Sequence, residues 1–206
     1  VSASKPGGTL IDMSVGKGGD MSKWIKAKLS FVFGLDLARD NIENRLDGAC
    51  SRFLNYKKTY DTMPYALFFQ ANSGLNIRNG DGILSNKGKK ITKAIFGSGA
   101  KDLKELGKNV YNHFGVANDG FDVGSIQFAL HYMFENQLTL QNFLRNVSEC
   151  VKIGGHFIGT CYDGKRVFQK LKDKNLGESA FILNENETKM WDIKKLYSQN
   201  EFPNDE

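Results

Sequence analysis

The chain has 206 residues, 40% apolar and 25% charged, which fits one domain with one sizeable core. Its longest apolar runs are short, such as 65–69, well under the roughly 20 residues that cross a bilayer, and residues 1–9 hold no signal-peptide core, so a membrane or secreted protein is set aside. The net charge of +5 leans toward an anionic partner such as nucleic acid, while three scattered cysteines (Cys50, Cys150, Cys161) argue against a disulfide framework or a zinc site and for a reducing intracellular compartment, the cytoplasm being the expected location.

In chain order, 9–13 reads as a buried strand that stops at a glycine-rich turn, and 21–28 as the helix behind it, with Asp20 at its cap or first turn. Residues 31–36 form a second strand. Ile42, Leu46, Ala49 and Phe53 recur at helical spacing and predict one long helix over 40–60; 66–70 is the third strand. Residues 73–118 are rich in Gly, Asn and Lys. A structureless loop of that length is foreign to a compact domain, so the stretch reads as an insertion with helices at 87–95 and 101–114. Lys87, Lys89, Lys90 and Lys93 give the first of these a basic face. Residues 121–128 form the fourth strand and 138–151 a helix terminated by Gly154–Gly155. A fifth strand at 156–161, a helix at 163–172 and late strands at 180–183 and 189–193 follow. Strands alternating with helices predict a mostly parallel sheet with helices on both faces.

The segment Asp12-Met-Ser-Val-Gly-Lys-Gly-Gly-Asp20 carries the most chemistry. A glycine-rich turn between a first strand and its helix lets a ligand approach the backbone. Asp36 ends the second strand 20 residues after Gly16, where a carboxylate can accept both hydroxyls of an adenosine ribose. A dinucleotide would want Gly-x-Gly-x-x-Gly, but the third position here is Met21, and Asp20 stands where a pyrophosphate would meet the helix N-terminus. S-adenosylmethionine has an adenosine, no phosphate and a positive sulfonium, and suits Asp12, Asp20 and Asp36 better. The P-loop pattern is absent, and no metal is implied.

A second motif, Phe121-Asp-Val-Gly-Ser-Ile-Gln-Phe-Ala-Leu-His-Tyr-Met-Phe134, ends the fourth strand and brings Gln127, His131 and Tyr132 near the same ligand. Together with Gly16-Lys-Gly-Gly-Asp20, Lys23-Trp24 and Gly154-Gly-His-Phe-Ile-Gly-Thr160, it resembles mRNA cap guanine-N7 methyltransferases. Asn41-Ile-Glu-Asn-Arg-Leu-Asp-Gly-Ala-Cys50 and Tyr162-Asp-Gly-Lys165 resemble more narrowly the methyltransferase domains of large DNA virus capping enzymes, of giant-virus or poxvirus type. The resemblance covers nearly the whole chain. It implies a Rossmann-like class I S-adenosylmethionine methyltransferase, a single partial domain over 1–206, truncated at both ends, with the insertion at about 73–118.

By motif position, the resemblance implies cofactor contacts from Asp12, Ser14, Gly16, Asp36, Asn72, Gln127 and Tyr132, and cap contacts from Lys17, Lys23, Arg52 and His131. Ser14 stands where the cellular enzymes carry Gly. Asn72 stands where an Asp meets the adenine amine, and its carbonyl can still accept that bond. Lys and Arg suit the cap triphosphate by charge. Capped mRNA is then the partner, with triphosphatase and guanylyltransferase domains of the same polypeptide as companions and a viral factory or virion as a further location.

Guanine N7 has a lone pair and no proton, so no general base and no catalytic dyad is expected. Positioning N7 in line with the methyl and sulfur can supply about 7–11 kcal/mol, with Phe128, His131 and Tyr132 as candidates for holding the base. The residues also admit a methyltransferase of the same fold acting on a small molecule or another RNA position, or a non-catalytic module that binds nucleoside or RNA. The absence of an initiator Met and the polar stretch 200–206 read as a chain cut from a longer one, and the resemblance implies upstream Asn and Lys and a downstream Glu and aromatic residue that complete the site.

Overall fold

A computed structural model describes residues 2–199 and 201–202. The chain divides into two compact units, Val1–Cys161 and Tyr162–Glu206. The first holds a five-stranded sheet: β1 (Thr9–Asp12), β2 (Phe31–Asp36), β3 (Tyr65–Gln70), β4 (Phe121–Ile126) and β5 (Val151–Gly159). Its order is β3-β2-β1-β4-β5, and every neighbouring pair is parallel.

The inner strands β1, β2 and β4 are largely buried because both faces of the sheet are covered there, whereas the edge strand β3 is half-buried and the edge strand β5 mostly exposed. Alternate residues of a strand point to opposite sides. Phe31, Phe33 and Leu35 join one cluster with Ile91, Ala94 and Phe96 of the α4 region (α4, Asn86–Ile95), Leu106 and Val110 of α5 (Leu103–Asn112), and Phe143 of α6 (Gln137–Cys150). Val32 joins the other, with Met21 and Trp24 of α1 (Met21–Lys26), Ile42 of α2 (Arg39–Glu43) and Ala49 of α3 (Ala49–Thr59). Helices therefore lie on both faces of a mostly parallel sheet, as the alternation predicts. From β1 the chain winds outward to β2 and β3, then returns to the other side of β1 for β4 and β5. Such a sheet opens a crevice beyond the carboxyl ends of its strands where the winding reverses, here between β1 and β4.

Several local expectations change. The single helix over 40–60 is two helices. Asn44 Oδ1 accepts the N–H groups of Leu46 and Asp47, a side-chain turn that competes with the helix ladder, and Leu46 ends 88% exposed. Asp20 stands at the N-cap of α1 as expected, but its side chain caps nothing and pairs instead with Lys23 at 2.6 Å. Gly154 and Gly155 do not end a helix. The α6 helix passes directly into β5 at Val151, and the glycines lie where the β4–β5 register shifts between Phe121 and Val123. The fourth strand stops at Ile126, because Phe128 takes a left-handed φ of 57°.

Within 73–118 the two expected helices form, and each begins with a side-chain cap. Ser85 accepts Gly88 N–H at the start of α4, and Asp102 accepts the N–H groups of Lys104 and Glu105 at the start of α5. Gly107 kinks α5 with a φ of 74°. The 73–84 loop before α4 is pinned by Asn146 of α6, a fully buried side chain. Its Oδ1 accepts Ile77 N–H at 2.8 Å, and its Nδ2 donates to Ser73 O at 2.8 Å and Leu75 O at 2.7 Å. Asn76 adds a bond to Glu149, and Arg78 donates to Glu149 O and Asn118 O.

The second unit contains α7 (Gly164–Leu171), capped by Asp163, and the antiparallel hairpin β6 (Ser179–Leu183) and β7 (Lys189–Lys194). The two late strands expected from the sequence pair with each other. Phe168 packs between Tyr197, at 5.3 Å, and Phe202, at 5.5 Å. Among the described residues no helix is long and apolar enough to cross a membrane.

Candidate active site

The β1–α1 turn is shaped by two left-handed glycines, Gly16 (φ 54°) and Gly18 (φ 73°); a Cβ on Gly18 would collide with the Met21 side chain. The turn is tied to the end of β2: Gly16 N–H donates to Asp36 Oδ2 at 2.8 Å, and Val15 N–H to Leu35 O. Asp36 is buried and its other oxygen accepts Ala38 N–H and Asn41 Nδ2, both at 2.9 Å. A carboxylate has about four lone-pair sites, and three are engaged here. One ribose hydroxyl can therefore bind directly, and the second has to displace the Asn41 amide.

Asp12 ends β1 at 3% exposure, with Ser14 N–H donating to it at 3.2 Å. Burial raises its pKa from 3.8 to about 7, and the nearby Asp20 and Asp36 charges push the same way, against the Ser14 bond and Lys23. A buried carboxylate so short of counter-charge is a seat for a cation. Next to it, Ser73 Oγ donates to Met13 O at 2.6 Å, and Asn72 Oδ1 accepts Gly74 N–H at 2.8 Å, leaving the Asn72 amide N–H₂ and one acceptor direction for a ligand.

Several of these pieces meet at one cavity of about 430 Å³, lined among others by Ser14, Asp36, Asn41, Asn72, Ala129 and Tyr132. A second cavity shares Asn72 and Tyr132 and adds His131, whose ring centroid is 4.2 Å from that of Tyr132. Of the residues proposed from sequence for the cofactor, Ser14, Asp36, Asn72 and Tyr132 thus line one space; Asp12 and Gly16 are not in its lining but bond to residues that are, Asp12 accepting Ser14 N–H and Gly16 N–H donating to Asp36. Gln127 is placed differently. Its amide donates to Ser125 Oγ at 3.0 Å and accepts from Thr160 Oγ1 at 3.2 Å, which ties β4 to the end of β5, and it does not line the cavity.

The residues proposed for the cap share no cavity. Lys17 is held by Asp47 at 2.8 Å and Asp40 at 3.4 Å, and the Asp47 bond raises its pKa. Lys23 pairs with Asp20 and, with Trp24 and Ser125, lines a separate pocket. Arg52 sits on α3, and His131 on a 3₁₀ turn, Leu130–Phe134. Phe128, 70% exposed, is held left-handed by its N–H bond to Thr160 Oγ1 at 2.9 Å. A bulky residue in that conformation is costly and concentrates at functional sites. Asn41, Leu37, Ser73 and Met133 line the main cavity without having been singled out as contacts; Asn41 opens a motif segment, but nothing in its spacing says that it bonds Asp36.

The family profile described as "mRNA (guanine-N(7))-methyltransferase domain" matches residues 78–200. The chain is 28% identical over 195 residues to an mRNA-capping enzyme of Acanthamoeba polyphaga mimivirus, covering 94% of this chain and 15% of that protein. It is 30% identical over 168 residues to an mRNA cap guanine-N(7) methyltransferase of Saccharomyces cerevisiae, covering 82% of this chain and 30% of that enzyme. An S-adenosylmethionine-dependent methyltransferase from Mesorhizobium loti superposes with a TM-score of 0.44 at 17% identity, over 93% of this chain and 59% of that one. The chain thus spans well under two thirds of the curated relatives it matches.

Proposed function

Because the chain belongs to the mRNA (guanine-N(7))-methyltransferase family, we propose that it transfers the methyl group of S-adenosylmethionine to N7 of the guanine cap of mRNA. The observation that carries the reading is the cavity of about 430 Å³ at the carboxyl ends of the strands, lined by Asp36, Asn72 and Ser14, with the buried Asp12 carboxylate bonded to Ser14 behind it. Its size lies within the range of cofactor pockets. S-adenosylmethionine fits the donor set: a cationic amino-acid end for Asp12, a ribose for Asp36, an adenine edge for Asn72. When bound, it supplies an electrophilic methyl on a positive sulfur.

The remaining roles belong to the chain's own groups. Asp12 binds the cofactor's ammonium. Asp36, freed by a swing of Asn41, orients the ribose. Tyr132 covers the cavity from the 3₁₀ turn, and Phe128 and His131 offer ring faces to the guanine. A purine that becomes cationic on methylation is favoured by aromatic faces and by the acidic character of this pocket. Lys17, Lys23 and Arg52 meet the triphosphate, Lys17 by exchanging Asp47 and Asp40 for phosphate oxygens. Gln127 acts through Ser125 and Thr160 to hold the end of β4. No proton needs to be removed from N7, so the rate comes from orientation.

We also read 1–206 as one partial methyltransferase domain of an intracellular capping system that carries triphosphatase and guanylyltransferase domains on the same polypeptide. Incubating the chain with methyl-labelled S-adenosylmethionine and, separately, capped RNA, GpppG, GTP and uncapped RNA tests the reading. Label is expected in 7-methylguanine from capped RNA and GpppG. Label in uncapped RNA, or none on either cap substrate, overturns it.

A further inference from the structure

The whole net charge of the chain sits in one place. Residues 86–112, which are α4, α5 and their connection, hold seven lysines against Asp102 and Glu105, a net of +5. The chain as a whole has 28 basic and 23 acidic residues, so 21 of each remain elsewhere and cancel. Concentrating the entire basic excess in 27 residues is not the pattern of an evenly solvated surface.

Lys87, Lys90, Lys93, Lys101, Lys104 and Lys108 are all exposed, and Lys89 is half-exposed. The buried side of the same helices is apolar: Ile91, Ala94, Ile95, Leu106 and Val110 face the sheet. The lysines therefore form the outward face of a pair of helices firmly seated in the core. Lys90 Nζ bonds Glu105 at 3.0 Å, which places the charged faces of α4 and α5 side by side. Among the described residues no carboxylate lies within salt-bridge distance of Lys87, Lys93, Lys104 or Lys108. Lys17 and Lys23 of the β1–α1 region behave differently, since both are paired with carboxylates. Lys101 Nζ stands 5.0 Å from the Tyr111 ring and 5.4 Å from the Phe114 ring, so half-buried aromatic surface is interleaved with the charge.

The backbone fixes where this face begins. Ala71 bridges Ile83, Asn72 N–H donates to Gly82 O at 2.8 Å, and Leu84 N–H to Gln70 O at 3.2 Å. The 72–84 loop thus closes on itself and starts α4 beside the carboxyl end of β3, next to Asn72 in the wall of the cavity. From Lys87 to Lys93 the face then runs about 9 Å along α4, at 1.5 Å per residue.

We propose that the α4–α5 face is a sequence-independent track for the phosphate backbone of single-stranded RNA, engaging the transcript downstream of its 5′ end while that end occupies the cavity. The proposal rests on the reading of this chain as an RNA-modifying enzyme. It adds a site that supplies affinity without touching the reacting atoms. Unpaired lysines neutralise phosphates and release counterions, and neighbouring aromatic rings tolerate any base.

The test compares the chain with a Lys87→Ala/Lys93→Ala/Lys104→Ala/Lys108→Ala variant and with a Lys→Arg variant at the same four positions. Probes are a capped and an uncapped 25-nucleotide unstructured RNA of one sequence, GpppG, and phosphatidylserine vesicles. The alanine variant is expected to bind both RNAs at least about tenfold more weakly at low salt. Its slope of log affinity against log salt should shrink by roughly 3, from about 0.7 per lost phosphate contact. Its KM for capped RNA should rise toward that for GpppG, while KM for GpppG and cofactor affinity stay within about twofold. The arginine variant should restore RNA binding. Unchanged RNA affinity and salt slope, or loss of vesicle binding with RNA binding intact, overturns the proposal. If GpppG is never methylated while RNA binding still depends on the four lysines, the cap reading falls and the track stands.

Discussion

Cofactor affinity should follow the titration of Asp12. Its carboxyl is buried and its pKa is raised from 3.8 to about 7. A cationic ammonium placed against it favours the charged form, so binding drives the proton off. At pH 5.5 nearly all free chains carry a protonated Asp12 and around pH 7 a large share is ionised, so affinity should rise on the order of tenfold across that interval. The interval lies below the titration of the cofactor's own amino group. At pH 6.0 close to 0.9 proton should be released per cofactor bound, because that fraction is protonated beforehand. Titration calorimetry in two buffers of different ionisation enthalpy reads both quantities. The same group opposes folding of the free chain. A raised acid pKa means the fold prefers the protonated form, so its contribution is most favourable below about pH 4, declines as pH rises from there to about 7, and is then constant. That decline is of the order of 4 kcal/mol at most. Asp12→Asn should accordingly raise the melting temperature of the free chain at pH 8, bind the cofactor more weakly, and bind it with no pH dependence below neutrality. Affinity that stays flat from pH 5.5 to 7.0 in the unsubstituted chain, with no proton release, refutes the placement of the cation at Asp12.

Other perturbations read other parts of the site. Asp36→Ala removes the acceptor for the ribose and should weaken cofactor binding by about 1.5–3 kcal/mol, measured by the same titration; it also frees Gly16 N–H and Asn41, so Asn41→Ala should have a much smaller effect of either sign. Lys17→Ala and Arg52→Ala should each raise KM for capped RNA and soften its salt dependence while leaving cofactor affinity alone; loss of cofactor binding in both would remove them from the cap side. Asn146→Leu leaves Ile77 N–H, Ser73 O and Leu75 O without their partner in a buried place, a destabilisation of the order of 3 kcal/mol in thermal melts. Because that side chain positions the loop next to Asn72, cofactor affinity should fall as well, Asn146→Asp recovering little, since a carboxylate cannot donate to Ser73 and Leu75. The Cys150 thiol, pushed by burial up to about 12, should resist a thiol reagent in the native chain, whereas exposed Cys161 reacts at once; equal rates would contradict the packing of α6 against the sheet.

Read from the sequence alone, the alternation of apolar strands and amphipathic helices determines the parallel sheet, since a strand with no polar side is stable only under helices on both faces. The glycine turn, the carboxylate at the end of β2 and the segment after β4 likewise mark the site, because Gly16 and Gly18 need left-handed backbone and Asp36 follows at a fixed distance along the chain. The helices of 73–118 were legible because a structureless loop of that length is foreign to a compact domain, while their caps, Ser85 and Asp102, were not singled out in advance. What the sequence did not determine depends on partners distant in the chain or on competing local bonds. The break between α2 and α3 is a competition between the Asn44 side-chain turn and the helix ladder, and periodicity does not register it. Asn146 lies about 70 residues from the loop it pins, so its buried amide looked like any helix polar residue. Gln127, marked by its motif as a contact, is drawn to Ser125 and Thr160 once β5 lies beside β4. The state of charge is also tertiary: only burial, which no linear pattern encodes, raises the pKa of Asp12, and only folding spends Lys17 and Lys23 on carboxylates while leaving Lys87, Lys93, Lys104 and Lys108 without one, among the described residues, on an outward face.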